Sequence, residues 1–132
     1  MATFRISEAA ALLGVSADTV RRWVDSGRLG AARDEHGHRL IAGADLAAFV
    51  RERRADPEPG ARFSSARNRL RGIVTDVVRD TVMAQVEIQA GPFRVVSLLS
   101  REAADELGLK VGVVAEAVIK STTVVVEVPG RG

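Results

Sequence analysis

The chain has 132 residues, 46% of them hydrophobic but only 4% aromatic, and no cysteine. Missing thiols exclude disulfides, thiolate metal centres and cysteine nucleophiles, while the aliphatic richness excludes a disordered tail. With 19 Lys and Arg against 17 Asp and Glu, the net charge of +2 excludes a broad positive field, so any nucleic-acid contact must come from local clusters such as Arg21/Arg22 and Arg51/Arg53/Arg54.

The opening MATFRISEAAALLG breaks its apolar residues with Arg5, Ser7 and Glu8, and no later apolar run reaches membrane-spanning length. A secretory signal and a membrane span are therefore not expected, and a cytoplasmic location follows by default. Ser7 reads as the N-cap of a first helix with Ala9, Ala10, Leu12 and Leu13 on its apolar face, stopped by Gly14. Ser16 caps a second helix whose inward positions are Val20, Trp23 and Val24, with Gly27 as its C-terminal glycine. Between Arg28 and Ile41, the turn DEHGHR between short apolar pieces predicts a small hairpin or wing. A third helix is expected from near Asp45, with Leu46, Phe49 and Val50 on its face.

ADPEPG, residues 55–60, is a proline-bearing linker. Beyond it the texture turns to β-branched alternation, through Ile73-Val74, Val77-Val78, Val86, Ile88, Val95-Val96, the stretch 111–118 and finally Val124 to Val128. Only REAADELG, residues 101–108, reads as a short helix, so this half is β-rich. The fold class is α+β in two domains: residues 1–54, a linker over 55–63, and residues 64–129. Halves this small have marginal cores, which favours self-association.

In the first half, two short helices joined by a glycine turn meet the geometric needs of a helix-turn-helix. Burying Val20, Trp23 and Val24 leaves Ala17, Asp18, Thr19, Arg21 and Arg22 toward solvent or DNA. Trp23 reads as core. Arg51, Arg53 and Arg54 read equally as a solvated helix end favoured by the dipole or as phosphate contacts. His36 and His38 lack a third ligand and read as wing residues, not a metal site. The features EAAALLGVS, TVRRW, SGRL, GHRLI and DLAAF together resemble the MerR/excisionase-like winged helix-turn-helix over almost its whole length. That resemblance implies that Ser16, Thr19, Arg21 and Arg22 face double-stranded DNA and that Arg39 in the wing contacts its backbone. MerR proteins usually continue into a dimerising coiled coil; no heptad run follows here, so another domain must supply the dimer.

In the second half, SSARNRLRG and IKSTTVVVEV concentrate hydroxyls and cations beside strands. A tetrahedral dianion is bound by just such converging donors, but taken alone these residues read rather as a solvated strand lead-in and an edge-strand lysine that blocks aggregation. SARNRLRGIVTDVV together with LLSREAADELGLKVGVVAEAVIKSTTVVVEV resembles the Mop, or TOBE-type, domain of molbindins over about 65 residues. The resemblance implies an OB-like β barrel, exchanged strands, and molybdate or tungstate held between subunits of a dimer or hexamer. Carried over by position, the oxyanion residues are Ser65, Ala66, Arg67 and Asn68 with Lys120, Ser121 and Thr122; Ser121 and Thr122 depart from the family's Ala and Ser, which bears on pocket volume and ion selectivity. The expected protein is a molybdate-binding, DNA-binding transcription regulator, with oxyanion storage as the rival. With no cysteine or tyrosine and no serine in a nucleophile elbow, no catalytic constellation assembles, and an enzyme is not expected.

Overall fold

The structure, a computed structural model, describes residues 2–53 and 64–130. It divides into two compact units, Met1–Ala61 and Arg62–Gly132; the expected linker over 55–63 lies outside the described residues.

The first unit is a helix-turn-helix with a small sheet. Strand β1 (Thr3–Arg5) leads directly into α1 (Ile6–Leu13), so Arg5 rather than Ser7 holds the N-cap position. The expectation for Ser7 fails because pairing of β1 with a later strand already gives Arg5 the extended backbone that a cap needs. The Arg5 N–H is taken by the Glu8 carboxylate at 3.0 Å. Gly14 ends α1 in the left-handed conformation, at φ 68°. Ser16 caps α2 (Ala17–Asp25), its Oγ accepting from the Thr19 N–H. Gly27 follows at φ 79° with its N–H on the Val24 carbonyl.

The expected hairpin forms from β2 (Ala32–Arg33) and β3 (Arg39–Ala42). β3 also pairs with β1, giving an antiparallel sheet in the order β1-β3-β2. Helix α3 (Gly43–Glu52) starts two residues before Asp45, because β3 runs straight into it with Ala42 as cap. Ala9, Ala10, Val20, Leu29, Ile41, Leu46 and Phe49 form the buried core, with Trp23 and Val24 packed against it. Burial of each larger aliphatic side chain there contributes about 1.5–3 kcal/mol.

The second unit is a curled antiparallel sheet of β4 (Asn68–Arg79), β5 (Met83–Ala90), β6 (Phe93–Ser100) and β7 (Val114–Ile119), in the order β6-β5-β4-β7. The curl originates in β4. Its first half pairs with β7 and its second half with β5, and the register slips between Val74 and Asp76. At the changeover Gly72 lets β5 pass so close that a Cβ there would lie 2.2 Å from the Gln89 carbonyl oxygen. Helix α4 (Arg101–Glu106), capped by Ser100, follows β6. Val74, Val86 and Ile88 form the buried centre, flanked by Val77, Val95, Leu99 and Leu109. The architecture is the α+β arrangement expected, an N-terminal helix-turn-helix and a curled OB-like sheet. The final stretch departs from expectation: Val124 to Val128 lies in no strand, with Val125, Val126 and Val128 83–85% exposed. No neighbouring strand among the described residues offers it a ladder.

Candidate functional site

Two groups of side chains stand out, one in each unit. In the second unit the β4–β7 ladder places Asn68 opposite Ile119. Ser65–Arg67 therefore enter the sheet at the same end where Lys120 leaves it, and the Asn68 side-chain amide clasps the junction by donating to the Ile119 carbonyl at 3.2 Å. Ahead of β4, Ser64 accepts the Ala66 N–H at 3.1 Å, and the Arg67 guanidinium donates back to the Ser64 carbonyl at 2.8 Å. Ala66 is buried and anchors the lead-in, while Ser65 and Arg67 are exposed.

After β7 the chain tightens into a 3-10 turn, Ser121–Thr123, whose Thr123 hydroxyl and N–H both bond the Lys120 carbonyl. That turn fixes the backbone and leaves the exposed Lys120, Ser121 and Thr122 side chains pointing into solvent rather than into the fold. The ladder thus brings all seven anticipated oxyanion residues to one sheet end: five exposed side chains of Ser, Arg, Lys and Thr that are able to donate, one amide already engaged, and one buried alanine. A single chain surrounds no ion with these groups.

In the first unit, Ser16, Thr19 and Arg22 form a chain at the start of α2. The Ser16 and Thr19 hydroxyls are 2.9 Å apart, and Arg22 Nη2 donates to Thr19 Oγ1 at 3.3 Å. Arg21 pairs with Asp18 on the exposed surface. Arg39 reaches from β3 to Asp25 at 2.6 Å, stapling the wing to the end of α2. The wing turn is shaped by Asp34, which accepts the His38 N–H at 2.9 Å and the His36 N–H at 2.8 Å; these bonds hold its carboxyl below the ordinary value of 3.8. Trp23 is half-buried against Phe49 with ring centroids 4.9 Å apart, and Arg53 lies 4.8 Å over its face. That places Trp23 in the packing and gives Arg53 an aromatic seat.

Sequence reasoning passed over Arg5 and Arg33. Both line one cleft of about 490 Å³ with Arg21 and Arg39. Isolated arginines at strand ends carry no periodic signal. Only the β1-β3-β2 order, with Arg33 directly opposite Arg39, gathers them.

Comparison with known proteins assigns each unit. Residues 3–54 match the helix-turn-helix domain family, and residues 64–126 match the TOBE domain family. Molybdenum-pterin-binding proteins 1 and 3 of Clostridium pasteurianum are 40% and 43% identical to this chain over 63 residues, which span 47% of it and 93% of each relative. The solved structure of MopII from Clostridium pasteurianum is 37% identical over 50% of this chain and all of its own, with a TM-score of 0.47.

Proposed function

The chain belongs, through its C-terminal half, to the molybdenum-pterin-binding protein family, and from that premise we propose that it is a DNA-binding transcription regulator whose C-terminal unit takes up molybdate or tungstate between subunits. One observation carries the reading: the Asn68–Ile119 register sets the Ser65–Asn68 and Lys120–Thr122 segments side by side at one end of the sheet. Neither segment contains a thiol or an aromatic ring. A pterin would need stacking surface, so the donors suit a bare tetrahedral dianion better than a molybdenum cofactor. Arg67 and Lys120 supply the charge, and Ser65, Ser121 and Thr122 supply hydroxyl donors.

Self-association is part of the same reading. Val78, Phe93, Val96, Leu98 and Val118 are exposed on the sheet, and the Val124–Val128 tail is unpaired. That much apolar surface favours a second copy, in a dimer or hexamer, over solvent. The N-terminal unit, of MerR/excisionase-like type, presents Ser16, Thr19, Arg21, Arg22 and Arg39 toward double-stranded DNA, and such a protein works in the cytoplasm as a binding protein, not an enzyme. No helix among the described residues is long and apolar enough to cross a membrane.

Isothermal calorimetry with sodium molybdate tests the anion site. Each charge-assisted contact contributes about 1.5–3 kcal/mol, so Arg67→Ala and Lys120→Ala should each weaken uptake by at least about tenfold, and the double variant should abolish it. Unchanged uptake in the double variant removes the site. A gel shift of labelled promoter fragments with and without molybdate separates the two roles: a molybdate-dependent shift marks a regulator, whereas tight anion uptake with no shift of any fragment marks a storage protein.

A further inference from the structure

Among the described residues, one cationic cluster lines a cleft and belongs to neither the oxyanion residues nor the aromatic seat of Arg53. The cleft lies between the start of α1, the body of α2 and the wing, lined by Arg5, Arg21, Arg33, Arg39 and His38. No carboxylate lines it. Arg21 and Arg39 have acidic partners, Asp18 and Asp25, outside its lining. Arg5 and Arg33 have no carboxylate partner among the described residues; Arg33 Nη1 instead donates to the Gly37 carbonyl at 2.6 Å, which holds its fork in place across the wing turn. Ile6 and Ser7, the first two residues of α1, complete the wall. The Glu8 carboxylate already meets that helix start and Asp18 and Asp25 meet Arg21 and Arg39, so the charge open to a ligand is chiefly that of Arg5 and Arg33.

The geometry points to this cleft as the seat of a backbone phosphodiester of duplex DNA, with Arg5 and Arg33 as its principal contacts. This rests on the DNA-binding reading above and adds to it residues that lie outside the recognition helix. A guanidinium offers a planar pair of donors that matches two oxygens of one phosphate. The cleft opens beside Arg21 on α2, so a strand seated there runs past the helix that would read the bases. Arg39 acts differently from Arg5 and Arg33: held by Asp25, it fixes the wing against α2 and so sets the width of the cleft. Phosphate contacts of this kind position a protein on the duplex without reading sequence, which predicts a signature distinct from that of the recognition helix.

The test uses the full chain and a labelled mixed-sequence duplex, with affinity followed by fluorescence anisotropy against salt concentration. Each phosphate contact contributes about 0.9 to the slope of log affinity on log salt. The combined Arg5→Gln and Arg33→Gln variant should flatten that slope by about two units, by the same amount on duplexes of different sequence. Arg28→Gln, an exposed arginine outside the cleft, should leave it unchanged. Wild-type binding with an unaltered slope in the double variant overturns the cleft and leaves the DNA-binding reading standing. No salt-dependent duplex binding by the wild type overturns both. An equal loss in Arg28→Gln replaces the cleft with diffuse charge. Calorimetric uptake of inorganic phosphate that the double variant loses, with the duplex slope intact, makes this a small-anion site and overturns the duplex assignment.

Discussion

At Gly72 the curl of the sheet depends on one absent methyl group. A Cβ there would lie 2.2 Å from the Gln89 carbonyl oxygen and 2.9 Å from the Ala90 Cα, and both are backbone atoms that no side-chain rotation can clear. Gly72→Ala must push β4 off β5 where the two ladders meet, with a cost of about 1–3 kcal/mol or more, read as a lower urea midpoint for the C-terminal unit. Gly91, at the β5–β6 turn, has open space around its own Cβ position but a φ of 57°, so its substitution is resisted by backbone conformation alone. Asp80 shows a different dependence. Its carboxylate accepts the Met83 N–H at 2.7 Å and the Val82 N–H at 2.8 Å, which holds its pKa below the ordinary 3.8. A carboxyl whose pKa falls on folding stabilises the native state above the unfolded value and loses that contribution as pH falls through the folded one. Asp80→Ala should therefore lower the urea midpoint at neutral pH, and the difference from wild type should shrink below about pH 4. An equal difference at both pH values would show that the charge plays no part.

Among the elements, α2 is the one most completely written in the chain. Ser16, the spacing of Val20, Trp23 and Val24, and Gly27 each act locally, within a few residues, so sequence alone places both ends of the helix. Ser16→Ala should cost about 1 kcal/mol. Phe49→Ala should cost about 3 kcal/mol or more, because Phe49 is buried against Trp23 and also carries the Arg53 stack; thermal melting of the N-terminal unit reads both. Features set by partners distant in sequence were not legible. Ser7 looks like a cap and is not one, because β1 pairs with β3, far along the chain, through Thr3 and Ala42. Val124 to Val128 has the composition of a strand, yet a strand exists only where another edge is offered. The same division runs through the sites. The SARN and IKST residues were named from their resemblance to a family, and their meeting at one sheet end is a property of the β4–β7 register. Arg5 and Arg33 had no such marker and become visible only when three short strands are laid side by side.

For the molecule as a whole, the consequence of two units is two separate cores. One cluster of buried residues runs from Ala9 to Phe49 and the other from Val74 to Ile88, with no member in common. Each unit is small enough that its melting temperature responds strongly to a few kcal/mol. A ligand that binds only the native form stabilises it by about 2.7 kcal/mol when present at a hundred times its dissociation constant. Molybdate at that excess should raise the C-terminal transition in a calorimetric scan by about 10 °C or more, whereas Phe49→Ala should lower only the N-terminal one. The scan also addresses regulation. If molybdate moves one transition and leaves the other in place, anion binding does not act through the stability of the helix-turn-helix. If duplex DNA added alone raises the C-terminal transition as well, the two sites share free energy, and by reciprocity molybdate must then change the affinity for DNA by the same factor. Repeating the scan with Val125→Lys and Val126→Lys together separates the ion from the assembly that would enclose it. These side chains are more than four-fifths exposed in the single chain, so their loss should not unfold it. If the tail seals a subunit contact, the variant should melt at a temperature that no longer rises with protein concentration, and the molybdate shift should vanish with that dependence.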